Sequence, residues 1–270
     1  MKKLNWLMAA GVMLAGLQTA QAMSLEQAAT GDHRSEANKA RNEYRHPVET
    51  LKFFGIEPDM TVVEISPGGG WYTEILAPYL REQGQLIAAG YDPGSDVEYF
   101  RKNAARFVDK LAANPDVFDK VKVTIFQLPD RVDIAEDGSA DMVLTFRNVH
   151  NWYMRGGGEE NLARAFNAFF EVLKPGGVLG VVDHRLPADK PARDQEASGY
   201  MHEEVVIKAA EKAGFKLAAS SDINANPKDT ADHPKGVWTL PPSLALKEEN
   251  KDKYQAIGES DRMTLKFVKP

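Results

Sequence analysis

Short apolar runs alternate with stretches of helical spacing along most of this chain, and few folds accept that alternation. Residues 60–65, 84–91, 121–126, 140–146 and 178–182 read as five strands, most of them continuous apolar runs. Continuous runs mark strands buried on both faces. Between them, residues 71–80, 97–113, 159–173 and 203–213 have helical spacing. In the third of these, Leu162, Phe166, Phe169, Phe170 and Leu173 fall on one side. Residues 24–39 are polar, Ala-rich and helical in character. His46-Pro47 opens a helix that Gly55 ends, because proline suits a first helical position. Lys174-Pro175-Gly176-Gly177 reads as a turn, 223–260 as a long loop, and 215–219 and 263–268 as two last strands. The pattern predicts an α/β fold: a seven-stranded, mostly parallel sheet with helices on both faces and the last strand antiparallel.

An apolar fraction of 43% is ample for such a core. The chain has 33 Lys plus Arg against 39 Asp plus Glu, for a net charge of -6, which disfavours a nucleic-acid partner. It contains 0 Cys, which excludes disulfides, thiolate metal sites, a thiol nucleophile and a lipidated cysteine. Residues 1–22 have the form of a signal peptide. Lys2 and Lys3 precede an apolar stretch, and Ala20-Gln21-Ala22 supplies the small-residue exit. Cleavage after Ala22 would send residues 23–270 to the periplasm or the medium as one domain without stable membrane insertion. Residues 23–58 would form helices covering the site.

In a parallel sheet of this kind, ligands sit beyond the carboxyl ends of the strands. Ser66-Pro67-Gly68-Gly69-Gly70 follows the first strand there. Its glycines let the backbone approach a ligand closely. The spacing is not G-x-G-x-x-G and no Walker lysine follows, so NAD and ATP are disfavoured. Asp92, at the end of the second strand, can accept ribose hydroxyls. The aromatics Trp71, Tyr72, Trp152 and Tyr153 flank the same edge, and an aromatic face suits a sulfonium cation. Arg147, Asn148 and His150 follow the fourth strand, where an imidazole can serve as a base near neutral pH. His150, Asp183, His184, His202 and Glu203 form a rival metal-ligand set.

Val63-Glu64-Ile65-Ser66-Pro67-Gly68-Gly69-Gly70 resembles the first motif of class I S-adenosylmethionine-dependent methyltransferases, and Leu173-Lys174-Pro175-Gly176-Gly177 resembles their late turn. Residues 46–51, 70–76, 146–152 and 260–262 look like a bacterial group of exported methyltransferases. The resemblance implies a Rossmann-like methyltransferase fold and S-adenosylmethionine as cofactor. It implies that Glu64 holds the methionine amino end, Asp92 the ribose, and Asp130 or Gln127 the adenine amino group. Ser66 replaces the usual first glycine. The expected activity is methyl transfer to a small molecule, with Glu64, Ser66, Gly68, Gly70, Trp71, Asp92 and Asp130 binding cofactor and His150, Asn148 and Arg147 acting on the acceptor. A non-catalytic binding protein on the same fold and a metal-dependent enzyme are the alternatives.

Overall fold

The computed structural model describes residues 23–154 and 156–270; the expected signal segment, residues 1–22, lies outside them. Seven strands form one sheet in the order β3-β2-β1-β4-β5-β8-β6. They are β1 (Thr61–Ile65), β2 (Gln85–Gly90), β3 (Lys122–Ile125), β4 (Ala140–Phe146), β5 (Leu173–His184), β6 (Lys216–Ser221) and β8 (Arg262–Val268), with a short β7 (Pro234–Val237) outside the sheet. β1 to β5 run parallel, and β8 lies antiparallel between β5 and β6. The expected fold class is what the structure has. The chain reverses strand order between β1 and β4, which opens a crevice there.

Alternate residues of β1 and β2 serve two cores. Val63, Ile65, Ile87 and Ala89 pack under α8 (Val149–Tyr153), α9 (Gly158–Val172) and α10 (Glu203–Lys212). Val62, Leu86 and Ala88 pack under α1 (Leu25–Thr30), α4 (Pro47–Phe54), α5 (Thr73–Leu80), α6 (Glu98–Ala113) and α7 (Pro115–Phe118). Gly180 lets α4 sit directly on the sheet: a Cβ there would come within 2.8 Å of Phe54.

Three expectations need correction. The helical stretch 24–39 is two pieces, α1 and α2 (Glu36–Lys39), because Arg34 turns inward to pair with buried Glu74 at 3.3 Å. A third short helix, α3 (Asn42–Arg45), follows. The Lys174–Gly177 turn is the irregular start of β5, since Gly176 and Gly177 exchange backbone hydrogen bonds with Lys269. The long segment after β6 contains β7 and α11 (Lys251–Ile257). It is pinned by buried Asp229, which accepts from the Tyr200 hydroxyl, from His233 at 2.8 Å, and from the backbone of Ala231 and Asp261. Among the described residues no helix is long and apolar enough to cross a membrane.

Candidate active site

A cleft of about 560 Å³ opens at the carboxyl edge of β1, β4 and β5. Its floor is the Ser66–Gly69 loop and the Phe146–Asn148 turn. Asn38, Arg41 and Arg45 wall one side, while Trp238, Pro241 and Pro242 from the long segment wall another. Ser66 (φ 49) and Arg147 (φ 62) face this cleft in left-handed conformations that cost a side-chain-bearing residue about 1–2 kcal/mol. Asn148 ties their two turns together. Its amide donates to the Ile65 carbonyl at 3.1 Å and to the Thr145 hydroxyl at 3.2 Å. Strain held in place by cross-bonds of this kind is characteristic of functional turns.

His150 is buried to 3% and its ring bonds Asp183 through Nδ1 at 2.8 Å. The Asp183 carboxylate also accepts the backbone N–H groups of His150 and His184, each at 2.8 Å. Both oxygens thus already receive donors, so His150 Nδ1 carries the proton and Nε2 keeps its lone pair. His184 lies beside it, ring centroids 5.0 Å apart, with Nδ1 2.5 Å from the Ser260 hydroxyl. Burial, reinforced by the charges of Arg147 and Arg262, pushes His184 well below the ordinary imidazole range, so it is neutral. Three members of the rival metal-ligand set come together. Ligand atoms of His150, Asp183 and His184 lie within 4.8 Å of one another. His202 and Glu203 stand apart: the His202 backbone N–H donates to Gln195, and Glu203 lies 3.7 Å from Arg185. Asp183 spends its oxygens on N–H donors, which favours a carboxylate–imidazole pair over a three-ligand site.

The Gly-rich loop is built for close approach. Gly68 (φ 59) and Gly69 face open space where a Cβ would stand, so their backbone is bare toward the cleft. Glu64 lies beneath the loop rather than in it. It is buried to 2%, accepts from the Thr73 hydroxyl at 2.6 Å, and is pushed up to about 7 by burial. Trp71 reaches the cleft, but Arg34 and Arg45 each place a guanidinium 4.7 Å from its ring centroid, so its ring already serves the protein's own cations. Tyr72 stacks on Phe146 at 3.5 Å. Trp152 packs against Phe126 and Phe169 in the core.

A second cavity of about 320 Å³ adjoins the loop on the β2–β3 side, walled by Tyr91, Phe126, Leu128 and Trp152 with the amides of Gln127 and Asn151. Gln127 accepts from the Asp92 backbone at 3.2 Å. Asp92 itself lines neither cavity; its carboxylate takes Arg131 at 2.5 Å and the Gly94 N–H at 2.8 Å. Asp130 is exposed and also lines neither. Gln127, the other residue considered for that place, is the one that reaches the cavity.

Sequence reasoning missed Asn38, Arg41, Arg45, Trp238 and Glu259. The first three come from α2, the α2–α3 junction and α3, which only the fold brings to one wall. Glu259 had no signal in the sequence. It ion-pairs with Arg41 at 2.7 Å, Arg45 at 2.9 Å and Arg262 at 2.9 Å.

The fold matches solved structures over most of the chain. An S-adenosylmethionine-dependent methyltransferase from Aquifex aeolicus aligns at TM-score 0.52 and 18% identity, over 86% of this chain and 93% of that one. A geranyl diphosphate C-methyltransferase from Streptomyces coelicolor A3(2), solved with Mg2+, geranyl diphosphate and S-adenosyl-L-homocysteine, aligns at 0.55 and 14%, over 90% and 87%. The [4+2]-cyclase SpnF aligns at 0.54 and 16%, over 89% and 85%. No family model and no curated protein matches the chain. The chain therefore has the class I methyltransferase fold. SpnF, called a cyclase, carries that fold too, so activity must be argued from the site.

Proposed function

We propose that the protein transfers a methyl group from S-adenosylmethionine to a small-molecule acceptor, with His150 as the base. The observation that carries this reading is the His150–Asp183 pair, which leaves Nε2 of a buried imidazole without a protein partner among the described residues at a cleft wall. The residues present suit the cofactor. The bare backbone at Gly68 and Gly69 and the aromatic cavity with its Gln127 amide fit a nucleoside and its amino-acid tail. When bound, S-adenosylmethionine supplies an electrophilic methyl group. His150 Nε2 would take the proton of the acceptor's hydroxyl or amine as the acceptor's own lone pair bonds the methyl carbon and the sulfur–methyl bond breaks, with S-adenosylhomocysteine as the leaving group. The cleft walls exclude water and hold the acceptor in line, which supplies much of the rate. Asn148 keeps the two turns of the site in register.

Calorimetric titration of residues 23–270 with S-adenosylhomocysteine tests this. Saturable one-to-one binding is expected. If neither it nor S-adenosylmethionine binds, the protein is a binding protein of another kind on this fold. We further propose export and cleavage after Ala22, supported by the sequence of residues 1–22; amino-terminal sequencing of the exported protein should begin at Met23.

A further inference from the structure

Four guanidinium groups, Arg41, Arg45, Arg147 and Arg262, gather around one carboxylate, Glu259, in a chain whose net charge is -6. Three of them pair with Glu259, yet their donors exceed what it can accept. Arg41 Nη2, Arg45 Nη1 and Arg262 Nε are buried without a hydrogen-bond partner. The Arg147 guanidinium has no hydrogen-bond or ion-pair partner among the described residues. Burial, the largest effect on it, pushes it down to about 10. Buried cationic donors left unmade are costly unless something supplies acceptors. Planar guanidinium forks match the paired oxygens of carboxylates and phosphates.

We infer that Arg41, Arg45 and Arg147 form an oxyanion receptor that holds a carboxylate or phosphate group of the methyl acceptor. The inference rests on the methyl-transfer reading and names its substrate class. The placement favours the acceptor over the cofactor's own carboxylate. Arg147 is three residues from His150 on the same turn, and Glu259 adjoins Ser260, which bonds His184. The receptor is thus continuous with the histidine pair rather than with the aromatic cavity beyond the loop.

The probe is inorganic phosphate, titrated calorimetrically into residues 23–270 at constant ionic strength, with S-adenosylhomocysteine and 5′-methylthioadenosine as companions. Wild type should bind one phosphate per chain, and Arg147→Gln, which breaks no side-chain hydrogen bond or ion pair among the described residues, should weaken binding at least tenfold. Arg41→Gln should weaken it further. Phosphate and S-adenosylhomocysteine should bind together without competition. Competition with S-adenosylhomocysteine but not with 5′-methylthioadenosine, which lacks the carboxylate, would assign the arginines to the cofactor and overturn the inference. Absence of saturable phosphate binding in the millimolar range would overturn it as well. Phosphate binding that Arg147→Gln abolishes, in a protein that ignores S-adenosylhomocysteine, would uphold the receptor and sink the methyl-transfer reading alone.

Discussion

His150 and Glu64 show how one sheet edge can hold two buried titratable groups to different ends. Asp183 fixes which nitrogen of His150 is free, so the proton-accepting atom is set by a neighbour that never meets the acceptor. His150→Ala should lower turnover by about two to four orders of magnitude with little change in S-adenosylhomocysteine affinity. His150→Gln should not restore it, because an amide can orient an acceptor but takes no proton. Recovery by Gln in steady-state assays would make His150 a positioning residue. Glu64 behaves oppositely. Burial raises it from 4.5 to about 7, so across that interval the folded state holds a proton that the unfolded state releases. Its contribution is complete below about pH 4.5 and is lost as pH rises through 7. Glu64→Gln, which cannot ionise, should gain stability relative to wild type between pH 5 and 8, on the order of 3 kcal/mol, read from denaturant midpoints. A pH-independent difference would show that Glu64 titrates as a free carboxyl.

The Gly-rich loop is the element on which site and fold meet. Gly70 has φ 74, and a Cβ there would lie 3.2 Å from the Lys110 side chain and 3.3 Å from Phe107. Gly70→Ala should therefore lose about 1–2 kcal/mol, or about 2–8 °C in melting temperature. An unchanged melting temperature would mean that the loop relaxes freely. This loop was legible because glycine and proline punctuate sharply after an apolar strand, and β1, β2 and β4 were legible because buried strands are apolar runs. β4 fell on its expected residues. What escaped was governed by polar contacts between distant segments. The break between α1 and α2 depends on Arg34 reaching Glu74, forty residues away. β7 and α11 depend on Asp229, whose four donors have no periodicity to betray them. Asp92 was correctly placed at a strand end, but nothing before the fold revealed that Arg131 occupies its carboxylate.

At the scale of the whole molecule, Glu259 couples helices near residue 41 to β8 across more than two hundred positions of sequence. Removing it leaves two buried guanidinium groups, Arg45 and Arg262, and half-buried Arg41 without their counter-charge. Glu259→Gln should cost about 3–5 kcal/mol, or roughly 10 °C in melting temperature. Added phosphate should return part of that loss, since an anion in the cleft would replace the missing charge. A melting temperature within a degree or two of wild type would show that the arginines are solvated well enough to do without Glu259.

That same span of sequence has a temporal meaning. A chain being synthesised presents Arg41, Arg45 and Arg147 well before Glu259. Until residue 259 emerges, Arg41 and Arg45 have no carboxylate to set the geometry of their wall. Occupancy of this site would then certify that a molecule had been made almost to completion. A fragment stalled or clipped upstream of Glu259 would lack the carboxylate that Arg41 and Arg45 pair with.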